Sequence, residues 1–145
     1  MDILAISRDI AAPIDEVWAV TSSFGTLQAW MPGVEKVAIT GAGIGAVRLV
    51  GIAGGTAEER LIELDPVRHR VRYALKAAVA TQLEGMVAGT DLVAIDAGTT
   101  RLTWVVTAER VNGDVQPVMG FLSGFINGCI EGLAKLLKTT VGGPV

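Results

Sequence analysis

The spacing of apolar residues changes period twice along this chain, and the changes mark out its predicted elements. From Ile3 to Ile10, Leu4, Ile6 and Ile10 share one side of a period-two pattern interrupted at Arg8, which predicts a strand. Ala12-Pro13-Ile14-Asp15-Glu16-Val17-Trp18 then starts a short helix, with proline in the first turn and two acids where the helix dipole favours negative charge. Ile14, Val17, Trp18 and Thr21 form its inner stripe. A second short helix carrying Phe24, Leu27, Trp30 and Met31 is predicted to stop at Pro32-Gly33.

From Val34 to Glu109 the period falls to two. Six strands are predicted, approximately Val34 to Thr40, Ala46 to Ala53, Thr56 to Leu64, His69 to Ala77, Glu84 to Ile95 and Arg101 to Arg110. Gly54-Gly55, Asp65-Pro66 and Asp96-Ala97-Gly98 suit tight turns, so neighbouring strands are expected to be antiparallel. Ala77 to Leu83 carries no turn signature that assigns it a type.

Asp114 is placed to cap a long helix running toward Lys138, with Pro117 in its first turn. Val118, Leu122, Phe125, Ile126, Cys129, Ile130, Leu133 and Leu136 recur at three- and four-residue spacing. Ser123, Asn127, Glu131, Lys135 and Lys138 take the other side, so the helix is amphipathic and packs on something. Gly120, Gly124, Gly128 and Gly132 also recur every four residues, and each disfavours a helix interior by up to about 1 kcal/mol relative to alanine. Two explanations stand: space or pliancy for a ligand, or close backbone packing on a strand or subunit. Thr139 to Val145 reads as a frayed tail.

Composition narrows what such a layout is for. The chain has 145 residues, which suits one domain spanning 1–145. Half of it is hydrophobic and only 19% is charged, and the mean hydropathy is +0.49. This apolar surplus has three possible destinations: a membrane, an oligomer interface such as a homodimer, or the lining of a cavity. Val118 to Leu137 contains Asn127, Glu131 and Lys135, so no membrane span is expected. The chain opens Met1-Asp2 with its first basic residue at Arg8, so no signal peptide is predicted and a cytoplasmic location is expected. One cysteine, Cys129, and one histidine, His69, exclude an internal disulfide and a Cys/His zinc site. No metal or cofactor is expected. A net charge of −3 argues against nucleic acid as a partner. Gly41-Ala42-Gly43-Ile44-Gly45 has the glycines of a dinucleotide loop but precedes a strand instead of opening a helix, so it is discounted.

The element order, together with Ala12-Pro13-Ile14-Asp15-Glu16-Val17-Trp18 and Trp30-Met31-Pro32-Gly33-Val34, resembles the START-like (SRPBCC) superfamily of polyketide cyclases/dehydrases and lipid-transport proteins. Gly45-Ala46-Val47-Arg48, Glu59-Arg60-Leu61 through Leu64-Asp65, Val71-Arg72-Tyr73 and Thr100-Arg101-Leu102-Thr103-Trp104 extend the match over nearly the whole chain. The resemblance implies the α+β helix-grip fold of the birch-pollen allergen. A curved seven-stranded antiparallel sheet would grip the last helix around a cavity, with two short helices after the first strand. It does not imply one activity, since the superfamily includes carriers, receptors, cyclases and chaperone partners.

Within an apolar interior, inward polar side chains must be paired or used. Arg48 shares a face with Val50 and Ile52, and Glu59, which matches the superfamily's recurrent acid, shares one with Ala57 and Leu61. They form a candidate inward pair that either orients a ligand oxygen or simply satisfies itself. Asp91, in step with Gly89 and Val93, is read as inward and as a candidate general acid or base, the alternative being a bulge or solvent-facing position. Tyr73 is either a donor to a ligand or a core tyrosine tied to the backbone, whereas Arg68-His69-Arg70 reads as a solvated turn. Trp18, Trp30, Trp104, Met119, Phe121, Leu122 and Phe125 are candidate lining residues, with Trp30 nearest the mouth.

Three functions remain open. The first is binding of a hydrophobic, lipid-like or polyketide-like molecule. The second is a cyclase, aromatase or dehydratase using Arg48, Glu59, Tyr73 or Asp91. The third is an interaction module without ligand, favoured if large side chains shrink the cavity.

Overall fold

A computed structural model describes residues 1–52 and 54–142. Ala53 at the end of the second predicted strand, and Gly143 to Val145 in the predicted tail, lie outside the described residues. The elements run β1 (Asp2–Ile10), α1 (Ile14–Thr21), β2 (Val34–Thr40), β3 (Val47–Ile52), β4 (Gly55–Asp65), β5 (Arg70–Ala77), β6 (Leu83–Glu84), β7 (Met86–Asp96), β8 (Thr99–Thr107), β9 (Arg110–Val111), α2 (Gln116–Leu136) and β10 (Val141–Gly142).

β2, β3, β4, β5, β7 and β8 follow one another as an antiparallel meander, and β1 closes on β8, giving the order β10-β1-β8-β7-β5-β4-β3-β2. Register shifts in the β4/β5 pairing at Leu61/Glu63 and in the β7/β8 pairing at Ala94/Asp96 bend the sheet. The turns are built as their sequences predict. Asp65 Oδ1 accepts from the Val67 and Arg68 N–H groups, and Asp96 Oδ1 accepts from Gly98 N–H.

Among the described residues the sheet therefore has eight strands, not the seven expected. The additional strand comes from the segment read as a frayed tail. β1 would otherwise be an edge with unpaired backbone groups, and Ile10 and Asp9 instead pair with Val141 and Gly142. Two further expectations change. The second short helix is a single 3-10 turn, Leu27–Ala29, because the chain reaches Pro32 and Gly33, at φ 77°, before a second turn can form. The long strand predicted from Glu84 breaks at Gly85, whose φ is 63°, so Leu83–Glu84 leaves the main sheet and pairs with Arg110–Val111.

The helix N-cap is Val115 and not Asp114, one residue later than expected. Asp114 Oδ1 instead accepts from the Gln116 N–H at 3.0 Å in a turn that leads into α2. Val118, Leu122, Ile126, Cys129, Ile130 and Leu133 are buried against the inner face of the sheet. Asn127, assigned by spacing to the polar side, is turned toward β1. Its Oδ1 accepts from Arg8 Nη1 at 2.9 Å, which also explains the broken alternation at Arg8. By length and composition alone α2 would suffice to cross a membrane, with a mean hydropathy of 1.2 over its best window. Its buried stripe is part of the helix-to-sheet core.

The glycine row resolves into two kinds of position. A Cβ on Gly132 would lie 2.0 Å from the Trp30 carbonyl oxygen, so the helix backbone packs directly on the segment after the 3-10 turn. A Cβ on Gly120 or Gly124 would meet nothing within 4 Å. Close packing therefore explains one end of the row, and the other end faces open space.

Candidate functional site

Cross-strand register builds the centre of the site. Arg48 on β3 stands directly opposite Glu59 on β4, and both point to the inner face. Arg48 Nε donates to Glu59 Oε1 at 2.5 Å, with the two residues only 3% and 9% exposed. Arg48 Nη1 donates to the Phe24 carbonyl oxygen at 2.9 Å, and its guanidinium carbon lies 4.1 Å from the Phe24 ring centroid and 5.0 Å from that of Tyr73. One buried cation thus ties the segment after α1 to β3 and β4.

Two adjoining hollows lie around this pair. The larger, about 70 Å³, has an almost wholly apolar wall that includes Val50, Ala57, Met86, Phe121, Leu122 and Phe125, with Glu59 as its carboxylate. The smaller, about 20 Å³, is bordered by Thr21, Trp30, Arg48 and Thr90. Leu27, Met31, Tyr73 and Trp104 line both. Phe121 is 41% exposed and stacks on Phe125 with centroids 6.2 Å apart, so this pair forms the outer rim of the larger hollow. Burial, reinforced by the Glu59 carboxylate, pushes the Tyr73 hydroxyl far above its ordinary pKa and keeps it protonated as a donor. The same two influences raise the Cys129 thiol, leaving it un-ionised.

Arg48, Glu59, Tyr73, Trp30, Trp104, Leu122 and Phe125 are accordingly gathered around one interior. Trp18, Met119 and Asp91 are not. Trp18 packs edge-on against His69, with centroids 5.4 Å apart, and so braces α1 on the turn between β4 and β5. This contact also corrects the reading of His69 as part of a wholly solvated turn. Met119 is half-buried against the core, one step around α2 from the Leu122 and Phe125 side that walls the larger hollow. Trp30 is buried at 6% exposure, and the rim lies at Phe121 instead.

Asp91 faces the opposite side of the sheet. Thr90 stands level with Val71 and Trp104 on the inner face, so alternation turns Asp91 outward. Asp91 and Val93 do share a face, but Val93 is 60% exposed, and its apolar character misleads the sequence reading. Asp91 Oδ1 accepts from Arg70 Nε at 2.8 Å and its Oδ2 from Arg72 Nη2 at 2.9 Å. Burial alone would raise the Asp91 carboxyl, yet the hydrogen bonds from Arg72 and Arg70 outweigh it and hold the group below its ordinary value. Asp9 beside Arg101, and Asp65 on its turn amides, are lowered as well. A native pKa below the unfolded value of about 3.9 means the unfolded chain binds more protons in that range. Stability is thus expected to be complete above about pH 5 and to fall as pH drops through 4 and below. Urea unfolding midpoints measured from pH 6 to pH 2.5 test this, and Asp91→Asn should flatten the slope.

Thr21, Thr90 and Phe24 belong to the site although the residue pattern did not single them out. Thr90 was accessible to parity, because it alternates with Ala88 and Leu92, both buried. Phe24 acts through its carbonyl and the loop geometry, for which no sequence signal exists.

Residues 1–142 match the family described as polyketide cyclase / dehydrase and lipid transport. The chain belongs to that family. Solved structures agree on the fold. The protein XoxI from Bacillus cereus is 18% identical at a TM-score of 0.79, over 91% of this chain and 92% of that one. A Thermobifida fusca protein is 24% identical at 0.73, over 90% and 89% respectively. Norcoclaurine synthase from Thalictrum flavum in complex with dopamine and hydroxybenzaldehyde is 16% identical at 0.75, over 94% and 87%. The expected helix-grip architecture of this polyketide cyclase / dehydrase and lipid transport family member is therefore present, with the eighth strand as its addition.

Proposed function

We propose that this protein binds a hydrophobic small molecule, lipid-like or polyketide-like, between the sheet and α2. The observation that carries the reading is the apolar hollow of about 70 Å³ beside a buried ion pair. Several waters would fit its volume, yet its wall offers them few partners, and such space favours an apolar occupant. It is below the roughly 300 Å³ of ordinary ligand pockets, so the occupant is one ring or one short chain, or a larger molecule admitted when Phe121 and Phe125 swing outward. The family description and the shared fold of norcoclaurine synthase support the same use of the interior.

Binding is favoured over turnover by the state of the wall groups. Glu59 is engaged by Arg48, Tyr73 stays protonated, and Asp91 lies on the other face, so the acid and base roles open to these residues are reduced. The test is native mass spectrometry of the protein purified from its own host, followed by thermal shifts with a panel of one- and two-ring compounds. A co-purifying apolar molecule or a saturable shift is expected. Ala57→Leu, which fills the hollow, should weaken uptake at least about tenfold while leaving the free protein folded. Absence of any bound molecule and of any shift would leave the interaction-module reading in its place.

A further inference from the structure

Three buried polar atoms have no hydrogen-bond partner among the described residues: Thr21 Oγ1, Trp30 Nε1 and Thr90 Oγ1. All three residues line the smaller hollow. They come from the end of α1, the segment following the 3-10 turn and the middle of β7, so the fold and not local sequence brings them together. Buried side-chain polar atoms nearly always find partners, and three orphans around one space of about 20 Å³ point to a missing group. The space is slightly more than the 10–15 Å³ or so that one water-sized atom requires.

We infer that the smaller hollow is an acceptor subsite, which takes a neutral carbonyl or hydroxyl oxygen of a ligand whose apolar body fills the larger one. The inference rests on the binding role proposed above and gives its ligand a chemical class. The indole Nε1–H of Trp30 only donates, so the missing group must accept, while the two threonine hydroxyls adapt to either role. Charge decides between a neutral oxygen and a carboxylate. The cation at the subsite, Arg48, is already matched by Glu59 at 2.5 Å, so an anion entering there would be buried without a counter-charge. Reach follows from the shared wall. Leu27, Met31, Tyr73 and Trp104 border both hollows, and a single molecule can present its oxygen to one while occupying the other.

A lone water has the same acceptor chemistry, so the test uses probes that separate water from ligand oxygen. Acetophenone and α-methylstyrene have nearly the same shape and differ by O for CH₂, while benzoate adds the charge. Binding to the full ¹⁵N-labelled chain is followed through the indole N–H resonances, with Trp30 assigned from Trp30→Phe. Acetophenone is expected to bind at least about tenfold more tightly than α-methylstyrene, to shift the Trp30 resonance, and to exceed benzoate. Thr90→Val should reduce the ratio of ketone to alkene affinity. The same variant should raise the melting temperature of the free protein by about 3 °C, because it replaces an unpaired buried hydroxyl with a methyl of equal size. Trp30→Phe should reduce the preference further.

Equal affinity for ketone and alkene, with the Trp30 resonance unmoved, overturns the subsite while the binding role stands. Tighter binding of benzoate overturns the neutral-oxygen assignment. If neither acetophenone nor α-methylstyrene binds, the binding role and the subsite fall together.

Discussion

Arg48→Met is expected to lower the unfolding free energy by about 3–5 kcal/mol, because it leaves the Glu59 carboxylate buried without its counter-charge. The loss has identifiable parts. Glu59 is only 9% exposed, so water cannot replace the guanidinium, and the Phe24 carbonyl loses the donor that holds its segment to β3. The double variant Arg48→Met/Glu59→Leu removes both charges and replaces them with apolar side chains. It should recover to within about 1 kcal/mol of the original protein, since apolar replacement of a whole buried pair is often neutral or better. Urea denaturation of the two single variants and the double variant gives the coupling directly. An Arg48→Met loss no larger than that of Lys36→Met, at an exposed β2 position, would show the pair to be inert.

The same cycle separates two roles for the pair. If it only satisfies itself, the double variant keeps its uptake of apolar probes and its ketone preference. If the pair orients a ligand oxygen, the double variant is stable yet loses that preference.

Gly132→Ala and Gly124→Ala are expected to change stability in opposite directions although they lie on one helix. Helix propensity alone favours alanine at both by up to about 1 kcal/mol. At Gly124 nothing lies within 4 Å of the new methyl, so a gain of that order should appear. At Gly132 the methyl would sit 2.0 Å from the Trp30 carbonyl oxygen, which is backbone and has no rotamer to escape into. The helix and the Trp30 segment must then separate, with a net loss of about 2–3 kcal/mol expected for overpacking of this kind. Trp30 also borders the smaller hollow, so Gly132→Ala should disturb ketone uptake, whereas Gly124→Ala should not. Thermal unfolding and probe titration of both variants check this. A stabilised Gly132→Ala would mean that the contact yields without resistance. Altered uptake in Gly124→Ala would restore a pliant helix as the gate.

Much of the architecture was legible because periodicity is a local property. The meander from Val34 onward, the turns at Asp65 and Asp96, and the buried stripe of α2 follow from residue types at fixed spacing. Parity also turned Arg48 and Glu59 inward, since each lies between apolar neighbours two residues away. The same argument failed at Asp91. A strand's parity is fixed only up to a choice of face, and Gly89 and Val93 gave no reliable sign of which face was buried. Trp18 and Met119 failed for a related reason. An apolar stripe shows that a side chain is covered, but not whether it is covered by a cavity, a core or the His69 ring.

Local spacing was enough for the order of the main elements, their antiparallel pairing, the long amphipathic helix and a candidate inward pair of Arg48 and Glu59. It took the folded chain to reveal that Val141 and Gly142 complete the sheet, that Gly132 is a contact and Gly124 is not, and that Thr21, Trp30 and Thr90 converge on one small space. Separation along the chain accounts for the difference. Periodicity and turn chemistry act within a few residues, but an unpaired strand edge, a close backbone approach and an unmatched hydrogen-bond donor arise only when distant segments meet.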